Sequence, residues 1–160
     1  MPHSKFVESH KELSKENTVL CGRRVYVGPK YSQLLRKNKM TLSSFESKYF
    51  LNIFNLVKET KHYEEGLYFK PNGFIFNILR SKLRKKNWMI GCHWSAWRND
   101  LLKINGFDED FTMPLYGEDV DVERRMRGVG VKFEPCRNTA IVFHLYHDNI
   151  FDTKGYKIPF

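Results

Sequence analysis

Cysteine is scarce: Cys21, Cys92 and Cys136 are the three in 160 residues, and no two stand as a Cys-x-x-Cys pair. The low, odd count argues against a disulfide framework or a zinc site, and a reducing compartment is the simpler expectation. No apolar run approaches the length that spans a bilayer, and Met1-Pro2-His3-Ser4-Lys5 lacks the apolar stretch of a signal peptide. A soluble cytoplasmic protein, at most peripheral on a membrane face, is therefore expected. Repeats and low-complexity segments are absent. Acidic residues are the minority, 18 against 27 Lys and Arg, for a net charge of +9. Such a surface attracts polyanions (nucleic acid, acidic lipid or nucleotide phosphate) without choosing among them. What is plentiful is aromatic surface, with thirteen Phe, eight Tyr and three Trp. That suits sugar or nucleotide stacking as well as it suits a plain aromatic core.

The hydrophobic pattern alternates between helical and extended stretches, which points to an α/β fold. A helix is expected over Ser4–Lys15, with Ser4 as its cap and Phe6, His10 and Leu13 on one face. Thr18–Val27 reads as one strand stopped by Gly28-Pro29, and the basic stretch Tyr31–Met40 as a loop. A long helix is expected over Ser43–Thr60, opened by a Ser43/Glu46 capping box. Phe74–Lys86 reads as a helix with a basic tail, Trp88–Trp97 as a buried strand, and Asp100–Ile104 as a helical turn closed by Asn105-Gly106. A helix over Gly117–Arg127, ended by Gly128, precedes short strands at Val131–Pro135 and Ala140–His144. One domain over residues 1–150 and a loose tail over 151–160 complete the expectation.

The segment Asn105-Gly106-Phe107-Asp108-Glu109, followed by Tyr116-Gly117-Glu118-Asp119, carries the chemistry. Acidic residues are at home at a helix start because the helix dipole favours them, and that alone accounts for most Glu-Asp pairs. Asp119 is less ordinary. On a helical projection it shares a stripe with Val122, Met126 and Val129, so its carboxylate points inward at the mouth above the helix start. A half-sheltered carboxylate there suits a general base. Asp121 and Arg125, four apart, suit a structural pair on the solvent face.

The run Gly91-Cys92-His93-Trp94-Ser95-Ala96-Trp97-Arg98, then Asn105-Gly106-Phe107-Asp108-Glu109, then Gly117-Glu118-Asp119, resembles the C-terminal signature of family 2 glycosyltransferases and the related galactosyltransferase C-terminal domain. The resemblance implies the C-terminal portion of a GT-A, Rossmann-like fold, a short mixed sheet flanked by helices. It implies an inverting transfer of a hexose from a nucleotide-diphosphate sugar, a UDP-sugar by likeness, to a glycan or lipid-linked acceptor. In it, Asp119 is the base and Glu118 the acceptor ligand, with Asp108, Tyr116 and Gly117 shaping the acceptor site. Gly91, His93, Trp94, Ser95 and Trp97 lie under the donor sugar. Strand alternation places Trp94 and Trp97 on opposite faces, so at most one stacks on sugar. Tyr116 stands where many relatives have Gly or Trp, and His93 or Trp94 where they place Asn or a small residue, changes that bear on sugar preference. Arg23 and Arg24 suit phosphate or acceptor contact, or a structural ion pair.

In the resembled family a His beyond the Glu-Asp pair completes a divalent site for Mn²⁺ or Mg²⁺. His144 fits that position best and His147 second. The rest of such a site is an Asp-x-Asp motif at an earlier strand end. Asp108-x-Asp110 and Asp119-x-Asp121 have the letters but lie in the acceptor block. The opening Met1-Pro2-His3-Ser4-Lys5-Phe6-Val7 resembles the segment that follows Asp-x-Asp in relatives, so the nucleotide-binding half is expected to lie upstream and to be missing here. The basic stretch Lys82–Lys86 suits a solvated face, or contact with an anionic membrane surface. Nucleic acid is the weakest partner, because no binding motif accompanies the charge. A non-catalytic binding module of this fold remains the alternative to an enzyme.

Overall fold

The computed structural model describes residues 1–83, 87–111 and 117–147, with the side chains of 80–83 excepted. It is a mixed α/β structure in which short sheets are flanked by helices. In chain order the elements are α1 (Phe6–Leu13), β1 (Thr18–Cys21), β2 (Arg24–Val27), α2 (Pro29–Arg36), α3 (Leu42–Ser47), α4 (Ile53–Leu56), a 3₁₀ turn (Tyr63–Gly66), α5 (Phe74–Leu83), β3 (Trp94–Ser95), α6 (Arg98–Leu102), α7 (Glu118–Gly128), β4 (Lys132–Pro135) and β5 (Val142–Leu145).

Two parallel ladders make the frame. β1 pairs with β4 and, on its other edge, antiparallel with β3; β2 pairs with β5. The expected single strand over Thr18–Val27 is thus two strands in two sheets. The cause is a difference in loop length: β4 and β5 are separated by residues 136–141, whereas β1 and β2 are separated only by Gly22 and Arg23. One continuous register cannot absorb the mismatch. Gly22 sits at the break, where a Cβ would lie 2.0 Å from the His93 ring.

Three clusters form the core. One packs Val25, Val27, Tyr31, Leu35, Phe45, Tyr49, Leu56 and Phe143 around the β2–β5 sheet. A second packs Val19, Met89, Val122, Met126 and Phe133 between β1, β4 and α7. A third joins Leu13, Leu20, Phe76, Cys136 and Ala140. The first explains two departures from expectation. Residues 29–36 are a helix, not a loop, because Pro29 sets its first turn and Tyr31, Ser32 and Leu35 bury one face. Residues 43–60 are not one helix: α3 and α4 are separated by a turn, and Phe50, Leu51 and Phe54 lie exposed. The cap of α3 is Thr41, whose side chain accepts from the Ser44 amide at 3.1 Å, rather than Ser43. Glu46 does not close a capping box; it accepts from the Ser4 amide at 2.8 Å and ties α3 to the N-terminal segment. Ser4 accordingly does not cap α1, whose N-cap position is Lys5. Phe6, His10 and Leu13 do turn one face inward, toward the third cluster and its neighbours.

Most of the apolar stretch 88–97 is not a strand either. Its backbone N–H groups go to side chains on α7: the Met89 amide donates to Glu123 at 2.6 Å and the Gly91 amide to Asp119 at 2.9 Å. Only Trp94–Ser95 joins the sheet. Among the described residues no helix is long and apolar enough to cross a membrane. The basic segment 82–86 and the tail 151–160 lie outside what is described of side chains and backbone respectively, and so do the membrane contact and loose tail expected there.

Candidate active site around the start of helix α7

Helix α7 organises the site by holding a different loop on each of two faces. On one face Asp119, Glu123 and Arg127 recur every four residues, one above the next. Asp119 Oδ2 accepts from Gly91 N, Glu123 Oε2 from Met89 N, and Arg127 Nη2 donates to the Asn87 carbonyl at 2.7 Å. Three alternate residues of the 87–91 segment are thereby laid along the helix. Arg127 also pairs with Glu123 at 2.7 Å. Gly91 belongs to this arrangement by size, because a Cβ there would lie 3.3 Å from Asp119 Oδ2.

On the other face, Arg125 pairs with Asp121 at 2.6 Å, as expected. The pair does more than sit in solvent. Arg125 Nη1 donates to the Ile104 carbonyl at 2.6 Å and to the Gly106 carbonyl at 2.8 Å, clamping the Asn105-Gly106 turn. The hydrogen bond from Arg125 and the neighbouring Arg124 hold the Asp121 carboxyl below its ordinary pKa. Asn105 and Gly106 take φ values of 60° and 73°, a left-handed pair that explains the Asn-Gly letters. Gly117, at the N-cap of α7, also needs positive φ. Arg125→Ala is expected to cost about 1.5–3 kcal/mol through the lost charged hydrogen bonds. It should accelerate hydrogen exchange at the Gly106 amide, which donates to Leu101 O. Arg125→Lys should restore little, since an ammonium lacks the planar fork that reaches a carboxylate and two carbonyls together.

These two clamps bring several expected site residues together. Asp119 and Glu118 sit at the helix start, half-buried, with Gly91 against Asp119. The stripe expected for Asp119 holds for Val122 and Met126, both fully buried, whereas Val129 is exposed. Trp94 packs at 6.1 Å from the Phe107 ring, linking β3 to the Asn105–Glu109 turn. Asp108 accepts from the Asp110 amide at 3.0 Å and lines an open depression with Asn105, Phe107, Glu109 and Arg125. Trp97 stands at the N-cap of α6 and is exposed, so its ring is free to meet a ligand. Tyr116 lies outside the described residues.

Other expected members are elsewhere. His93 is 2% exposed, with Nδ1 2.8 Å from the Arg23 carbonyl and its ring against Phe6 and His10. Burial lowers its pKa to about 4, so it is a neutral interior imidazole rather than a surface available to a sugar. Ser95 Oγ is likewise turned inward, 2.7 Å from His10 Nδ1. Arg23 lies over the Trp88 ring at 3.9 Å and donates to the Gly22 and Trp88 carbonyls, and burial beside Arg137 lowers its pKa. These are structural contacts. Arg24 lies over Tyr26 at 5.2 Å, on the sheet that carries His144.

His144 and His147 do meet. Their Nε2 atoms are 3.1 Å apart, beside Tyr26, at a pocket of about 370 Å³ also lined by Glu59, Lys61 and Tyr146. The separation matches two adjacent ligands on one ion at about 2.1 Å each. Burial, with Arg24 and His147 nearby, lowers the His144 pKa and favours the neutral, ligating form. The Arg125 clamp and the Thr41 cap are what the letters did not reveal. Arg125 had a visible signal, its spacing from Asp121, but nothing in the spacing identifies distant carbonyls as partners.

Residues 76–148 match the family model described as the N-terminal domain of galactosyltransferase. No curated protein and no solved structure matches the chain. The matched stretch contains α7 and both loops that it clamps. The match supports a galactosyltransferase-like domain, and not the C-terminal position that the resemblance implied. Over residues 76–148 the chain is similar to a galactosyltransferase domain, and that likeness supports a glycosyltransferase kind of function.

Proposed function

We propose that the chain is the acceptor-side part of an inverting glycosyltransferase that moves a hexose from a UDP-sugar to a glycan acceptor, with Asp119 as the general base. The observation that carries this is the assembly at α7: one helix start presents Asp119 and Glu118 between two clamped loops, inside the galactosyltransferase-like stretch. Both Asp119 oxygens accept backbone amides, Gly91 N at 2.9 Å and Val120 N at 2.9 Å. Each carboxylate oxygen has a second lone pair, so the group can still take a proton. The two amides also fix its direction, which a positioned base requires. In this reading Asp119 removes the acceptor hydroxyl proton as that oxygen attacks the anomeric carbon, and the nucleotide diphosphate departs from the opposite face. Glu118 orients the acceptor, while Asp108, Gly117 and the exposed Trp97 border it. Gly91 and Trp94 form the floor toward the donor, and His93 and Ser95 support that floor from within.

His144 and His147 would hold a divalent cation, which when bound accepts charge from the leaving diphosphate as a Lewis acid. Imidazoles alone are a poor set for Mn²⁺ or Mg²⁺, which favour carboxylates. Among the described residues no carboxylate groups closely with the pair. Met1 and Phe143 exchange backbone hydrogen bonds at 2.6 and 2.8 Å, and Pro2 bridges Val142 antiparallel. The reading is tested by glycan binding to the folded chain, with the footprint expected on Gly91, Phe107–Glu109 and Glu118–Asp119.

A further inference from the structure

Away from α7, three ligating side chains from distant parts of the sequence converge in the interior. His10 comes from α1, His93 from the turn before β3, and Cys136 from the residue after β4. One ligand atom from each lies within 4.8 Å of the other two, and all three residues are buried. Tetrahedral coordination with Zn–N of about 2.0 Å and Zn–S of about 2.3 Å needs neighbouring ligand atoms about 3.3–3.6 Å apart. A contraction of at most about 1.5 Å closes the set, and His93 Nε2 and Cys136 Sγ already stand at 4.0 Å.

The hydrogen bonds around the cluster leave the right atoms free. His93 Nδ1 faces the Arg23 carbonyl at 2.8 Å. A carbonyl only accepts, so Nδ1 carries the proton and the Nε2 lone pair is turned toward Cys136. His10 Nδ1 contacts Ser95 Oγ at 2.7 Å, while its Nε2 is buried and has no hydrogen-bond partner. An imidazole oriented through one nitrogen by a carbonyl or hydroxyl, with the other nitrogen bare, is the usual second-layer arrangement around a zinc-bound histidine. A buried polar atom without a partner is otherwise an unexplained cost.

We propose that His10, His93 and Cys136 form a zinc site, distinct in place and in ligand softness from the His144–His147 pair. Two neutral imidazoles and a thiolate favour Zn²⁺ over the harder Mn²⁺ and Mg²⁺. Three protein ligands leave the fourth position to an exogenous ligand such as water, and the Cys136 proton is released to solvent on binding. Both histidines are already neutral, with burial lowering His10 and His93 to about 4. Burial raises the Cys136 thiol, so the free chain holds it protonated and the metal must displace the proton. The ion would pin α1, the β3 approach and the β4–β5 crossover to one point.

The test is refolding of the 160-residue chain with Co²⁺ as a spectroscopic stand-in, followed by displacement with Zn²⁺. One equivalent per chain is expected, with a thiolate-to-cobalt charge-transfer band and the visible bands of a tetrahedral site. The charge-transfer band should vanish in Cys136→Ala and survive both in Cys92→Ala and in the His144→Ala/His147→Ala double variant. Should Cys136→Ala fail to fold, the wild-type chain still decides: zinc must raise its thermal midpoint and a chelator must lower it again. A folded wild-type chain with no thiolate band and no thermal response overturns the proposal, leaving an ordinary core cluster with a weak S–H···N contact. A band that persists in folded Cys136→Ala overturns it equally.

Discussion

Asp119→Asn should lower sugar transfer by about 10²–10⁴-fold, the range spanned by loss of a general base, in a form of the chain that carries a nucleotide-sugar-binding unit. Donor affinity and thermal stability should change little. The structural half of that expectation follows from the Gly91 contact. Asparagine retains a carbonyl oxygen that can accept from Gly91 N as Asp119 Oδ2 does, so the 87–91 segment stays on α7. Asp119→Ala removes the acceptor as well as the base, and should loosen the segment in addition to abolishing transfer. The pair of variants separates chemistry from architecture. If asparagine and alanine both left turnover near normal, Asp119 would be only an anchor for Gly91. If asparagine unfolded the segment, the loss of activity would carry no information on the base.

Gly22→Ala should be among the most damaging single changes to stability. The added Cβ would lie 2.0–2.3 Å from three atoms of the His93 ring. That ring cannot swing aside cheaply, because Phe6, His10, Cys136 and the Arg23 carbonyl surround it. Overpacking typically costs about 1–3 kcal/mol, and a site with no room lies at the upper end, about 3 kcal/mol. For a chain of this length that corresponds to roughly 6–12 °C in thermal midpoint. Calorimetric or circular-dichroism melting checks it. A midpoint within a degree or two of wild type would mean that His93 has another place to go, and would weaken the tight cluster on which the zinc proposal stands.

The sequence was most readable where one face of an element is apolar and the others are not. Helix α7 is such a case: Val122 and Met126 are buried, and the acidic start and Gly128 mark its ends. The failures have physical causes. In α2 the lysines and arginines of 30–37 hide a buried face built from only Tyr31, Ser32 and Leu35. In 43–60 there are more apolar residues than a single stripe can bury, and Phe50, Leu51 and Phe54 are left exposed. In 88–97 the letters suit a strand, but the backbone donors are taken by Glu123 and Asp119. Gly22 was a usable signal for the break between β1 and β2, since a glycine inside a strand pattern marks a close approach. At the site, Asp119 and the Asn105–Gly106 turn were legible because acidic helix starts and left-handed turns use few residue types. The inward turn of His93 and Ser95 was not, because their partners lie 70 and 85 residues away.

The most direct test of the central claim is to map glycan binding on the isotopically labelled 160-residue chain by amide chemical shifts, using a panel of hexose-terminated oligosaccharides. The account predicts saturable shifts at Gly91, Phe107, Asp108, Glu118 and Asp119, weakened by Arg125→Ala, which releases the turn that carries Phe107. A folded chain that bound none of the panel, or bound it only through residues remote from α7, would contradict the assignment of this helix start as an acceptor site.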